Sequence, residues 1–78
     1  MSSVRERVRG EGWTPIMIEP KARFKHKVTH MELRQWCDAN CQAGYSSTLI
    51  KGSSVTNLYS SFAFEEGADA IMFALRWK

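Results

Sequence analysis

The run Tyr59-Ser-Ser-Phe-Ala-Phe-Glu-Glu-Gly-Ala-Asp-Ala-Ile-Met-Phe-Ala-Leu-Arg-Trp-Lys78 changes its apolar period part-way along. Phe62 and Phe64 alternate as on one face of a strand, and from Ala68 onward Ala68, Ile71, Met72 and Leu75 recur at helical spacing. Side chains repeat every second residue on a strand and every 3.6 residues on a helix, so the run predicts a strand feeding a helix. Glu65-Glu66-Gly67 stands at the junction, where carboxylates lie favourably beside the positive end of a helix dipole. Phe62, Phe64, Ile71, Met72 and Leu75 are the expected core residues, and Glu65, Glu66 and Asp69 the expected helix-start residues. Phe73, Leu75 and Trp77 also alternate, which leaves a short terminal strand open.

Working outward, Tyr45 to Ile50 predicts a strand, Lys51-Gly-Ser-Ser54 a turn, and Val55 to Phe64 its antiparallel partner. Before it, Thr29-His-Met-Glu32 is a capping box, in which the Thr29 hydroxyl and the Glu32 carboxylate each take up a free amide at the helix start. The helix it opens runs to about Gln42, with Leu33, Trp36, Cys37, Asn40 and Cys41 along one side and Gly44 placed to stop it. Lys21-Ala-Arg-Phe-Lys-His-Lys-Val28 alternates strictly. It predicts a strand with Lys21, Arg23, Lys25 and Lys27 on a wet, positive face and Ala22, Phe24, His26 and Val28 on the other. Trp13 to Pro20 is apolar and bounded by prolines, which suits an edge strand. Residues 1–12 form a flexible basic arm in which Arg5, Arg7 and Arg9 are interleaved with Val4, Glu6 and Val8.

These elements predict one α+β domain over residues 13–78: a small antiparallel sheet of three to four strands with two helices on one face. Its 78 residues are too few for two cores, and its three Trp, four Phe and two Tyr supply large buried areas without covalent staples. No apolar run reaches the length of a membrane span, the polar N-terminus does not read as a signal peptide, and a cytoplasmic protein is expected. The formal charge of +3 is uneven: residues 1–30 hold seven Lys/Arg against three Asp/Glu, and the remainder four against five. A basic N-terminal part points to an anionic partner or serves solubility.

Chemistry is harder to find. His26, His30, Cys37 and Cys41 are four ligand-type side chains at H-x3-H and C-x3-C spacing. Structural zinc sites present their cysteines as C-x2-C on a knuckle, so two buried thiols are expected instead, and no cofactor or metal. A disulfide across one helical turn has poor geometry. A cysteine nucleophile paired with His26 or His30 lacks any flanking signature, and Glu65, Glu66 and Asp69 are explained as helix-start residues. There is no phosphate-binding loop and no zincin motif, so the chain reads as a non-enzyme. Lys21, Arg23, Lys25 and Lys27, with Arg5, Arg7 and Arg9, are the candidate partner-binding residues, able to meet phosphates or an acidic protein surface. Base readout would need exposed aromatics beside them, whereas Phe24, Phe62 and Phe64 fall on faces expected to be buried. A lysine-protected edge strand accounts for the same pattern without any ligand.

The segment Ser61-Phe-Ala-Phe-Glu-Glu-Gly-Ala-Asp-Ala-Ile-Met-Phe73 resembles the second strand-helix unit of ferredoxin-like domains, RNA-recognition motifs among them, although the RNA-binding signature itself is missing. That resemblance implies a fold that is ferredoxin-like in part. The same tail, with Phe62, Phe64, Asp69-Ala70, Phe73 and Leu75-Arg-Trp77, is similar to the ends of small proteins of tailed bacteriophages. This second resemblance covers about a quarter of the chain. It implies a small accessory protein that binds a protein partner and modulates or inhibits a host machine in the host cytoplasm. A nucleic-acid-binding module using the basic strand and a minor virion protein are the alternatives. An exposed sheet edge could also add a strand to a target or across a homodimer, and Trp13 and Trp77 are candidate interface anchors.

Overall fold

A computed structural model describes residues 6–51 and 58–78. In chain order it contains β1 (Thr14–Ile18), α1 (Pro20–His26), α2 (His30–Asn40), β2 (Tyr45–Lys51), β3 (Leu58–Phe64) and α3 (Gly67–Trp77). The three strands make one antiparallel sheet in the order β1-β3-β2, which is a small α+β fold. Lys51, expected to open the turn, is the last residue of β2, while the rest of that turn at 52–54, the first three residues of the strand expected from Val55, and Arg5 lie outside the described residues.

Register decides where the core forms. Phe64 stands between Thr14 and Tyr45, Phe62 between Ile16 and Ser47, and Ser60 between Ile18 and Leu49. Directly opposed residues share a face, so Ile16, Ile18, Phe62, Phe64 and Tyr45 make one apolar surface. Leu33 and Cys37 of α2 and Ala70, Phe73 and Trp77 of α3 close over it. Phe73 is the hub: its ring lies 4.8 Å from Phe62 and 5.1 Å from Phe64, with the edge of Trp36 at 5.8 Å. The capping box of α2 forms as its sequence predicts, with the Glu32 amide donating to Thr29 Oγ1 at 3.2 Å and the Thr29 amide to Glu32 Oε2 at 2.6 Å. At the far edge of β2, Glu6 makes a parallel bridge with Tyr45, and the Arg7 amide donates to the Tyr45 carbonyl at 2.7 Å.

The expected strand at Lys21–Val28 is instead helix α1. Pro20 at its first turn presets the helical φ and has no amide to leave unsatisfied, while Glu19 before it is extended, as a residue preceding proline must be. Between Lys21 and Lys27 no residue is β-branched and only Phe24 is a strand former, so little local propensity favours the pleat. Alternation at period 2 also satisfies i, i+4, and it is Ala22 with His26 that turns inward, while Phe24, expected on the buried face, is 82 % exposed. Lys27 ends the helix in the left-handed region at φ 56°, with its amide bonded to Phe24 O and that of Val28 to Arg23 O, a Schellman closure without its usual glycine.

The second correction concerns α3. It is helical through Trp77, which removes the terminal strand, and its buried residues are Asp69, Ala70, Phe73 and Trp77. Ile71, Met72 and Leu75, expected in the core, are exposed. Both sides of this helix are apolar, so periodicity alone selected the wrong one. The aromatic side chains went inward because they remove more area from water than Ile, Met and Leu do.

Candidate interaction surface

Helical winding of α1 redistributes the cations expected on one strand face. Lys21 and Lys25, one turn apart, line an open depression of 340 Å³ together with Glu19, Ala22 and Lys78. Next to it, Met17, Ile18, Glu19, Ala22, Tyr59 and Lys78 line a cleft of 360 Å³. The shared residues Glu19, Ala22 and Lys78 join the two into one groove between α1, the end of β1 and the end of α3. Its rim carries three ammonium groups against one carboxylate, and its floor is apolar. β1 is also an outer strand of the sheet, with Pro15 inside it.

Arg23 leaves this set. Its guanidinium turns inward and donates to the Leu58 carbonyl, tying α1 to β3. Lys27, exposed at the left-handed end of α1, lines neither groove. Arg7 and Arg9 lie elsewhere, beside Ser46, Ser47, Thr48 and Ser61 in a polar groove of 270 Å³. Of the seven cations singled out in the sequence, two therefore meet in the α1 groove and two in the β2 groove, and Arg5 lies outside the described residues.

The four zinc-type side chains take other roles. His26 sets its ring at 5.5 Å from Trp77, edge to face, and His30 Nδ1 shares a 3.0 Å hydrogen bond with Ser60 Oγ. Cys37 and Cys41 are buried thiols, not joined by a disulfide. A hydrogen bond with Cys41, reinforced by burial, pushes the Cys37 thiol far above its ordinary pKa, which keeps it protonated and a poor nucleophile. Among the described residues no three of His, Cys, Asp and Glu gather as a metal-binding group. Likewise, no helix there is long and apolar enough to cross a membrane.

His30 has a measurable consequence. Burial first, then the Arg34 and Arg23 guanidiniums, lower its pKa below 6.5, and Glu6 opposes them more weakly. A histidine with a lowered folded pKa binds its proton more readily when unfolded, so it destabilises the fold as pH falls below about 6.5. Urea titrations at several pH values are expected to show stability falling on acidification, with a slope that His30→Gln reduces. An unchanged slope in the variant would assign the acid sensitivity to carboxylates instead.

Two residues of consequence were not evident from sequence. Lys78 reaches the groove because the end of α3 lies beside α1, which only the tertiary fold determines. Asp69, expected as an ordinary helix-start acid, is buried and accepts the amides of Gln42 and Ala43. Comparison with protein-family models, curated proteins and solved structures gave no match to the chain.

Proposed function

We propose that the chain is a small, non-catalytic, phage-type accessory protein that docks onto an acidic segment of a bacterial host protein and modulates that protein's working. The observation that carries this reading is the α1 groove: an apolar floor of Met17, Ala22 and Tyr59 beside Lys21, Lys25 and Lys78. Apolar floor and cationic rim together suit a protein segment that mixes carboxylates with hydrophobic side chains. A nucleic-acid backbone would use the rim and leave the floor wet. The outer position of β1 adds an edge along which such a segment could lie. The phage-type origin rests on the resemblance of the tail from Phe62 to Trp77.

The test is affinity capture from host lysate with wild-type protein and with a Lys21→Glu, Lys25→Glu double variant. Both lysines are exposed on a helix surface, so the exchange spares the core. One stoichiometric protein is expected on the wild type, with at least about tenfold weaker binding, or 1.4 kcal/mol, to the double variant. Equal recovery by both proteins would remove the groove from the reading. Capture of nucleic acid alone, confirmed by mobility shift and abolished by Arg7→Glu with Arg9→Glu, would favour the β2 groove and a nucleic-acid role.

A further inference from the structure

Helix α3 has two apolar sides, and the core uses one of them. On the other, Ala68, Ile71, Met72 and Leu75 recur at i, i+3, i+4 and i+7, the spacing by which one helix meets another. All four are exposed, Ile71 at 64 %, Met72 at 36 % and Leu75 at 83 %. A surface helix ordinarily carries polar side chains at these positions, and this stripe holds none.

Charges at the two ends of the stripe select its occupant. Glu65 and Glu66 are exposed at the N-terminal end of α3, and Arg76 and Lys78 are exposed at the C-terminal end. A second copy laid antiparallel, with a two-fold axis between Ile71 and Met72, sets Ile71 against Met72 and the small Ala68 against the large Leu75. The same axis brings each acidic end to a basic end. A parallel copy would set carboxylate on carboxylate instead. A contact about a two-fold axis must be complementary to itself, and this stripe meets that requirement in both size and charge. Across this axis Glu65 stands opposite Lys78 of the second copy, and Glu65 also accepts the Gly44 amide at 3.2 Å.

We propose that the outer face of α3 is a self-association surface, through which two copies of this chain pair their α3 helices antiparallel along Ala68, Ile71, Met72 and Leu75. The 11 residues of α3 span about 16 Å, too short for the roughly 800 Å² per partner of a standard stable interface. The dimer is therefore a reversible one. It leaves Lys21 and Lys25 free but shares Lys78 with the groove, so variants at Leu75, which lies outside the groove lining, separate it from the groove reading.

Sedimentation of the full chain across a concentration series tests this, from about 10 μM to about 1 mM, the range where weak pairing is populated. The mass is expected to rise from 8.9 kDa toward twice that value. Leu75→Glu should hold the protein monomeric over the whole series with an unchanged circular dichroism spectrum and melting temperature. Lys78→Glu should weaken pairing at least tenfold, and adding Glu65→Lys to it should restore pairing by exchanging the two ends. A wild type that stays monomeric to the highest concentration overturns the proposal, as does association that survives Leu75→Glu. Failure of the double exchange to restore pairing overturns the antiparallel arrangement.

Discussion

Phe73→Ala is expected to remove a large share of the protein's stability, about 3–5 kcal/mol. The ring is fully buried between Phe62, Phe64 and Trp36, so it joins the sheet to both long helices at one point. Removing such a ring costs about 3–5 kcal/mol, because the transfer energy is lost and the surrounding aromatic rings cannot collapse into the gap. A domain of this length has a total stability of only about 4–12 kcal/mol at ordinary values per residue. Urea unfolding followed by tryptophan fluorescence, at low micromolar protein so that α3 pairing does not contribute, measures the difference. Phe73→Leu keeps much of the volume and should cost about half as much. Leu75→Ala, two residues on and 83 % exposed, should change stability by under about 0.5 kcal/mol. Comparable losses at 73 and 75 would mean that the buried side of α3 is assigned wrongly.

That contrast shows where the sequence was legible and where it was not. The strand-to-helix switch at 58–77, the capping box of α2 and the β2-β3 pairing were all readable, because each is set by local chemistry at fixed spacing. The burial of Phe62 and Phe64 followed from their alternation. Which side of α3 turns inward did not follow, since Ala68, Ile71, Met72 and Leu75 form as regular a stripe as Ala70, Phe73 and Trp77. Side-chain size decides between them, and a count of apolar positions weighs all of them alike. α1 failed for a different reason. A seven-residue helix offers too few turns to separate period 2 from 3.6, and a proline suits a strand boundary as well as the helix start it makes here.

The candidate site was legible only as a composition. A cluster of cations near the N-terminus was evident, but their sorting depends on helical winding, which pairs Lys21 with Lys25 and sends Arg23 inward toward Leu58. Lys78 joins them across most of the chain length, and no local pattern could have placed it there. The exposed stripe on α3 carries the converse lesson. A helical apolar period that the fold leaves outside is evidence about association, and it was visible in the sequence as a period without a known direction.

Asp69→Ala is the second large loss expected, and it separates two explanations of an acid at a helix start. Carboxylates in a first turn gain about 0.3–1 kcal/mol from the helix dipole, and nothing more need be invoked if that is the whole role of Asp69. Its surroundings require more. The carboxylate is buried, and its oxygens accept the Gln42 amide at 3.1 and 3.0 Å and the Ala43 amide at 3.1 Å, clasping the turn between α2 and β2 to the start of α3. Deleting a charged acceptor that serves two amides should cost about 2–4 kcal/mol. Asp69→Asn keeps one acceptor oxygen and should lose about half of that. Hydrogen exchange gives the residue-level check, because the Gln42 and Ala43 amides should lose protection in the alanine variant before the Cys41 amide, which is held by the Cys37 carbonyl at 2.9 Å. A loss below about 1 kcal/mol with both amides still protected would reduce Asp69 to a dipole contribution and leave the turn closed by its own backbone.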